Sequence, residues 1–476
     1  LSLGQTLRGR LLSLRFAARS PEDWVRIGGR DEDIPLNRVL NHFYDPHYDV
    51  SLTFSLGGAK APDWALEDAG DLAGQNHSYK DARQAFYDGL TLASRTSRER
   101  ELGHTFYALG HVIHLIQDLT VAEHTRDDLH LFIGSDASLY EKYLKNKTDL
   151  FDLTAAQAPV AIRARDLWVN AQGTGIAKFT NANFVSADTN FTELRTGAQA
   201  ERYPSPVLDL ARVDTAPTGT CRDGADPPAS VTPVVFYGNS MSDPVTSQLL
   251  QNPRMTAASL FDSYLVARAK PPIFSLNCFT VDAAAEILLP RASAHSAALL
   301  DFFFRGRLGA IVGGNAFRIV NRTSDAQRWE AMDGVFALYS DTAGGTRQSL
   351  GTWTLALQPD EMTRPLAVAT PPDDATACML VFRGRLGEEV DAVTGQQLTA
   401  CPTPTTLAQP TPVEWQPSWG GGSYGCPADQ WHYQLEVCCS PNSPPSLVGG
   451  CARNLQEAIS GCQSVMPWFL NCRLPQ

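Results

Sequence analysis

Apolar positions recur at helical spacing through the stretch 99–119. Leu102, Phe106, Leu109, Val112, Ile113, Leu115 and Ile116 fall together as the face of a long core helix. A second helix is expected over 80–96, and Pro159–Gln172 reads as another. Helical patterns return at about 243–270 and 280–310. The latter is apolar enough to be central, with Pro290 marking a kink or a start. The polar stretch at about 205–235, rich in Thr, Asp and Pro, reads as a long loop or insertion. After Gly313 the period shortens to two in FRIVN, GVFALYS, GTWTLALQP and ACMLVFRGRL, separated by turn strings such as SDTAGGT at 340–346. Short strands of this kind predict a small β-sandwich.

The expected architecture is therefore mainly α. A helical-bundle domain over 1–315, with a loop insertion at about 205–240, precedes a β-sandwich over 316–400. A Pro/Gly-rich linker over 401–424 then leads to a cysteine-rich module over 425–476.

Composition narrows the setting. The 476 residues imply several domains, and 43% hydrophobic content is ordinary for a globular chain. No run of 18 apolar residues occurs. The net charge of -12 argues against a stable nucleic-acid partner, which usually needs a basic stripe. Seven of the ten cysteines (Cys401, Cys426, Cys438, Cys439, Cys451, Cys462, Cys472) crowd the tail without a C-x-x-C pair. That density predicts a disulfide-stapled module, hence a secreted or cell-surface protein. Cys221, Cys278 and Cys378 are scattered and open to pairing across domains. The tail's own partner is not specified. GGSYG at 421–425 matches a nucleophile-elbow string by letter but lacks its strand and helix. GGRD and AGGT read as glycine turns.

The chemistry lies in the core helix. LGHVIHLIQDLTVAEH (109–124) sets His111, His114, Asp118 and His124 in an apolar run. His104, His111, His114 and Asp118 follow at spacings of seven, three and four, which return to one face. A single buried histidine is usually a hydrogen-bonded core residue. Three imidazoles with a carboxylate point instead to a cation, and His114 one turn from Asp118 forms a compact N/O pair of the kind zinc favours. Upstream, GRDEDIPLNRVLNHFYDP (29–46) places Asp31, Glu32 and Asp33 about ten positions before His42 and closes on an Asp45-Pro46 turn.

Together these strings resemble the zinc-dependent phospholipase C and single-strand nuclease superfamily, the group that includes clostridial alpha-toxin. HFYDP and the histidine–aspartate–histidine spacing of His114, Asp118 and His124 carry the likeness over roughly 20–145. Beyond that only helical pattern continues, to about 315. The resemblance implies a bacterial hydrolase with up to three Zn2+ ions. Asp33, or else Asp31, would join His42, His114 and Asp118 around the first zinc. Asp118 would bridge toward a neighbour, and His124 with Glu141 would hold a separate ion. The family's histidine four residues before that glutamate is Ala137 here, with His130 or Asp128 as substitutes. Ala122 stands where the family often has proline. A third zinc would need an N-terminal Trp and histidine: either these lie upstream of Leu1, where a signal peptide would also stand, or that zinc is absent.

The implied activity is phosphodiester hydrolysis on a phospholipid or membrane surface. A metal-activated water is the nucleophile, and Asp33 or Asp31 takes its proton. Two alternatives stand beside it: a single-strand nuclease of the same superfamily, and a non-catalytic binding protein on a degenerate scaffold. His111 is expected as a buried, hydrogen-bonded neighbour of the ligands. His104 is expected as structural or solvated, His47 and His77 as solvated, and His295 as a core histidine. The appended β-domain is expected to serve packing.

Overall fold

The computed structural model describes residues 19–52, 57–129, 138–145, 156–192, 202–215, 220–221, 229–230, 235–258, 262–270, 273–313, 316–324, 327–402, 431–437, 446–452 and 472–473. The chain divides into two units: 1–89 with 96–304, and 305–476 with the short segment 90–95.

In the first unit, α1 (Pro21–Asp31) starts where Ser20 Oγ accepts the Asp23 N–H, with Pro21 and the acidic Glu22 and Asp23 in the first turn. A 3-10 turn (Leu36–Asn41) follows, then α2 (Ala61–Leu66), α3 (Tyr79–Thr91) and α4 (Arg95–Asp118). Leu109, Val112, Leu115 and Ile116 of α4 are fully buried, as their spacing requires. α1 crosses α4 on glycine. A Cβ at Gly28 would lie 2.0 Å from Tyr107 O, and one at Gly110 would lie 2.2 Å from Val25 O. No larger residue permits that approach. The GGRD string, expected as a turn, is thus part of a helix crossing that lays the end of α1 onto the middle of α4.

The expectation of a mainly α protein is overturned: the chain is 35% helix and 28% strand, with several antiparallel sheets. In the first unit β1 (Asp209–Thr215), β4 (Val235–Ser242), β5 (Leu249–Ala258) and β6 (Phe274–Ser275) form a sheet in the order β1-β4-β5-β6, while β2 (Thr220–Cys221) pairs with β3 (Ala229–Ser230). The expected loop insertion at 205–240 therefore supplies β1 and β4. The expected helix at 243–270 supplies β5 and only a short α8 (Asp262–Val266). The helical reading of Pro159–Gln172 is likewise corrected, since the element present is a 3-10 turn at Ala164–Leu167.

Pairing explains the change at β5. Pro253 lies at a register break between Tyr237 and Asn239, where a Cβ at Gly238 would meet Asn252 O at 2.4 Å. A bulge of this kind admits a proline that a regular ladder excludes. The pairing buries Phe236 and Ala257 completely. Packing of this kind overrides local helical spacing.

Further helices of the unit are α5 (Ala122–Thr125), α6 (Leu139–Leu144) and α7 (Ile176–Asn183). α9 (Cys278–Phe303) starts at an Asn277 cap and runs through Pro290 as one element. Val121, Ala122, Tyr140, Tyr143, Phe179, Met241 and Val281 share one core, so strand β4 helps seat α5 and α6.

In the second unit, β9 (Met332–Thr342), β10 (Arg347–Leu357), β11 (Ala375–Leu386) and β12 (Glu389–Leu398) pair antiparallel in the order β10-β9-β11-β12. β7 (Leu308–Gly313) pairs with β8 (Ala316–Asn321). Leu308, Phe317 and Ile319 of that hairpin share a core with Phe336, Leu338, Leu380 and Phe382 of the sheet. β13 (Trp431–Val437), β14 (Ser446–Ala452) and β15 (Cys472–Arg473) form a separate small sheet. Cys378 and Cys401 form a disulfide, and Cys278 is also disulfide-bonded. Cys426, Cys438, Cys439, Cys462 and nearly all of the expected linker lie outside the described residues. No described helix is long and apolar enough to cross a membrane.

Candidate metal centre

The end of α1 turns back on itself. The Ile34 N–H donates to Asp31 O at 3.0 Å, the 3-10 turn follows, and the His42 N–H closes it on Val39 O at 3.3 Å. His42 thereby returns beneath the acidic residues that end α1. The rest of HFYDP is locked to α5: the Tyr44 N–H donates to His124 O at 2.9 Å, and the Phe43 ring stacks on His124 with centroids 4.5 Å apart. Asp45 is structural, with Tyr203 Oη 2.6 Å from its Oδ2 and 2.7 Å from Arg126 O.

Asp118 Oδ2 is the meeting point. It lies 2.7 Å from His42 Nδ1, 3.2 Å from His114 Nε2 and 3.6 Å from His124 Nδ1. Asp33 Oδ1 stands 3.7 Å from His42 Nδ1 and 3.5 Å from His114 Nε2. One ligand atom each from Asp33, His42 and His114 falls within a 4.8 Å span. Asp118 Oδ2 is buried and makes no hydrogen bond, although two imidazole nitrogens stand within 3.2 Å of it. Buried polar atoms that converge without hydrogen-bonding geometry need another explanation, and a cation among them supplies one. The set opens to solvent at Asp33, whose side chain is 42% exposed against 2% for His42.

Charge balance fits the same account. Burial opposes the charge on Asp118, but the imidazoles of His114, His124 and His42 outweigh it and hold the carboxyl well below the usual range. Burial likewise pushes His114 toward neutrality, yet Asp118 and Asp33 hold it well above the usual histidine range. His42 is raised for the same reason, with Asp118 overcoming burial. Asp33, His42 and His114 in one group, with Asp118 against both imidazoles, form a donor set suited to zinc.

The remaining predicted residues separate. His124 Nε2 lies 3.4 Å from Glu141 Oε1, and its Nδ1 lies 3.6 Å from Asp118 Oδ2, so that pair meets beside the cluster. Asp31 does not join it: it accepts from Arg30 Nε at 2.7 Å and from Tyr107 Oη at 3.2 Å. Asp128 is buried and accepts the Asp188 N–H at 3.1 Å, while His130 lies outside the described residues. His104 is exposed beside Glu101, and His47 is exposed. His295 is buried, with its ring nitrogens at Arg291 O and Thr174 O. His77, expected to be solvated, is half-buried and stacks on His111 at 4.4 Å.

Sequence reasoning weighed Glu32 only as a rival ligand to its neighbours. The structure makes it a sealed hub. Glu32 accepts from Arg38 Nη2 at 2.6 Å, Trp64 Nε1 at 2.9 Å and His111 Nδ1. Burial works against its charge, but His111, His42 and Arg38 drive its carboxyl well below the usual range. His111 is thus a hydrogen-bonded core histidine as expected. The available signal was Arg38, a cation in the apolar string PLNRVL that had to find a buried anion.

No family profile, curated protein or solved structure matches this chain. The likeness to the phospholipase C superfamily rests on the motif residues alone.

Proposed function

We propose that the chain is a zinc-dependent phosphodiester hydrolase, phospholipase C-like, acting on phospholipid outside the cytoplasm. The observation that carries this reading is the meeting of Asp33, His42 and His114 in one group, with Asp118 Oδ2 against both imidazoles, from two distant stretches of chain. These four would hold the first zinc. His124 and Glu141, 3.4 Å apart, would hold a second, with Asp118 between the two. Bound zinc supplies Lewis acidity, which acidifies water and offsets charge on phosphate oxygens.

Asp33 is the member of the set most open to solvent and can take a proton at its free oxygen. Asp31, tied to Arg30 and Tyr107, is not given that task. The phospholipid assignment is supported by the motif resemblance and by the acidic balance of the chain, which disfavours nucleic acid. The extracytoplasmic setting is supported by the Cys378–Cys401 disulfide.

The test pairs metal analysis with two substrates. Purified protein is expected to carry zinc and to release phosphocholine from phosphatidylcholine vesicles. EDTA should abolish the release and zinc restore it. Cleavage of single-stranded DNA in the parallel assay, with vesicles untouched, would reassign the protein as a nuclease. A protein without zinc and without either activity would be a binding scaffold instead.

A further inference from the structure

We infer that Glu32 is a positioning residue for the metal centre: its carboxylate accepts the Nε2 proton of His42 and so presents His42 Nδ1 to the cation. The inference rests on the zinc reading above and adds a residue to it. His42 Nδ1 faces Asp118 and Asp33, while Nε2 points the other way, buried and without a hydrogen bond. Glu32 Oε1 faces that nitrogen at 3.6 Å.

Counting the carboxylate's capacity sharpens the point. An ionised carboxylate offers about four acceptor positions. Arg38 and His111 occupy Oε2, and Trp64 takes one position on Oε1. The remaining position on Oε1 is the one His42 faces. At 3.6 Å the pair is longer than a hydrogen bond, and closing it satisfies two buried atoms at once.

A hub made for stability alone explains less. Apolar residues of similar volume often replace a buried Arg–Glu pair without loss, so its burial is weak evidence that it serves stability. A carboxylate behind a ligating imidazole fixes the tautomer and aim of the ring. It also accounts for the asymmetry of the centre, where His42 offers Nδ1 and His114 offers Nε2.

The test has two arms on the full chain. In the first, protein labelled with 15N-histidine is loaded with 113Cd. One-bond coupling is expected at Nδ1 of His42 and at Nε2 of His114, with the His42 proton on Nε2. Coupling at Nε2 of His42 overturns the inference. In the second, Glu32→Gln combined with Arg38→Met removes the carboxylate without leaving its cation unpaired. Zinc affinity, measured by competition with a chromophoric chelator, should fall about 10–100-fold. A folded double variant with parental affinity overturns the inference. If the double variant fails to fold, the coupling pattern in the parent decides. A parent that binds neither zinc nor cadmium overturns the centre itself, a result distinct from either of these.

Discussion

Asp118 and Glu32 are both carboxylates set among histidines at helix ends, yet their surroundings ask for opposite things. Every close partner of Glu32 is an N–H donor: guanidinium, indole and imidazole take three of its acceptor positions. Asp118 Oδ2 instead meets imidazole nitrogens at short range with no hydrogen bond formed. The histidines follow suit. Burial lowers His111 despite Glu32, helped by the nearby Arg38, whereas His114 has carboxylates on two sides and is raised. The lesson is that residue type does not identify a cation site. A carboxylate held by N–H donors is already satisfied, and one that meets imidazoles without a hydrogen bond is not.

The comparison can be broken at its strongest point first. Asp118→Ala and His114→Ala should each strip zinc from the protein and lower hydrolysis by at least about 100-fold, since even the outer partners of metal ligands cost 10–100-fold. Parental zinc content in both variants would undo the assignment. On the other side, Arg38→Met leaves Glu32 short of its cation. It should cost about 3–5 kcal/mol in urea denaturation, with the loss persisting in EDTA because that network needs no metal. A loss that disappeared on chelation would merge the two sites into one.

The crossing that sets both sites side by side is the next target. Gly110→Ala places a Cβ 2.2 Å from Val25 O. Separating α1 from α4 should cost about 1–3 kcal/mol and weaken zinc binding, because Asp33 and His42 follow from the end of α1. Unchanged affinity would mean the crossing does not place the ligands.

The smallest effect concerns acid. Burial, aided by His111 and Arg38, lowers His77 from 6.5 to about 4. The folded state refuses a proton that the unfolded state takes, so this stability is present above pH 6.5 and is lost as pH falls toward 4. With zinc removed, the melting temperature of the parent should fall more steeply across that window than that of His77→Phe, which can keep the stack on His111. Equal slopes would show that His77 is not held neutral.

Much of the centre was legible because it is local. His114 and Asp118 are one helical turn apart, and any helix there brings them together. His104 shares the spacing but ends exposed, because spacing names a face without saying how far along the helix a neighbour covers it. Asp33 was preferred to Asp31 on the resemblance, with nothing in the spacing to force the choice. The turn after α1 decided between them, sending one to Tyr107 and the other to the imidazoles. The β1-β4-β5-β6 sheet was missed for a related reason. β5 carries Pro253 and an apolar spacing that reads as helix, and only its pairing with β4 around the bulge at Gly238 makes it a strand.

By itself, then, the sequence determined the α4 helix, the imidazole–carboxylate pair on it and the β-rich character after Gly313. Those features depend on a repeat along the chain, and a repeat is visible without neighbours. The tertiary structure decided which acidic residue faces the histidines, that Glu32 is sealed among N–H donors, and that Asp209–Thr215, Val235–Ser242 and Leu249–Ala258 are strands where a loop and a helix were expected. Each of those outcomes turns on which distant backbone or side chain arrives to fill a hydrogen bond or cover an apolar face.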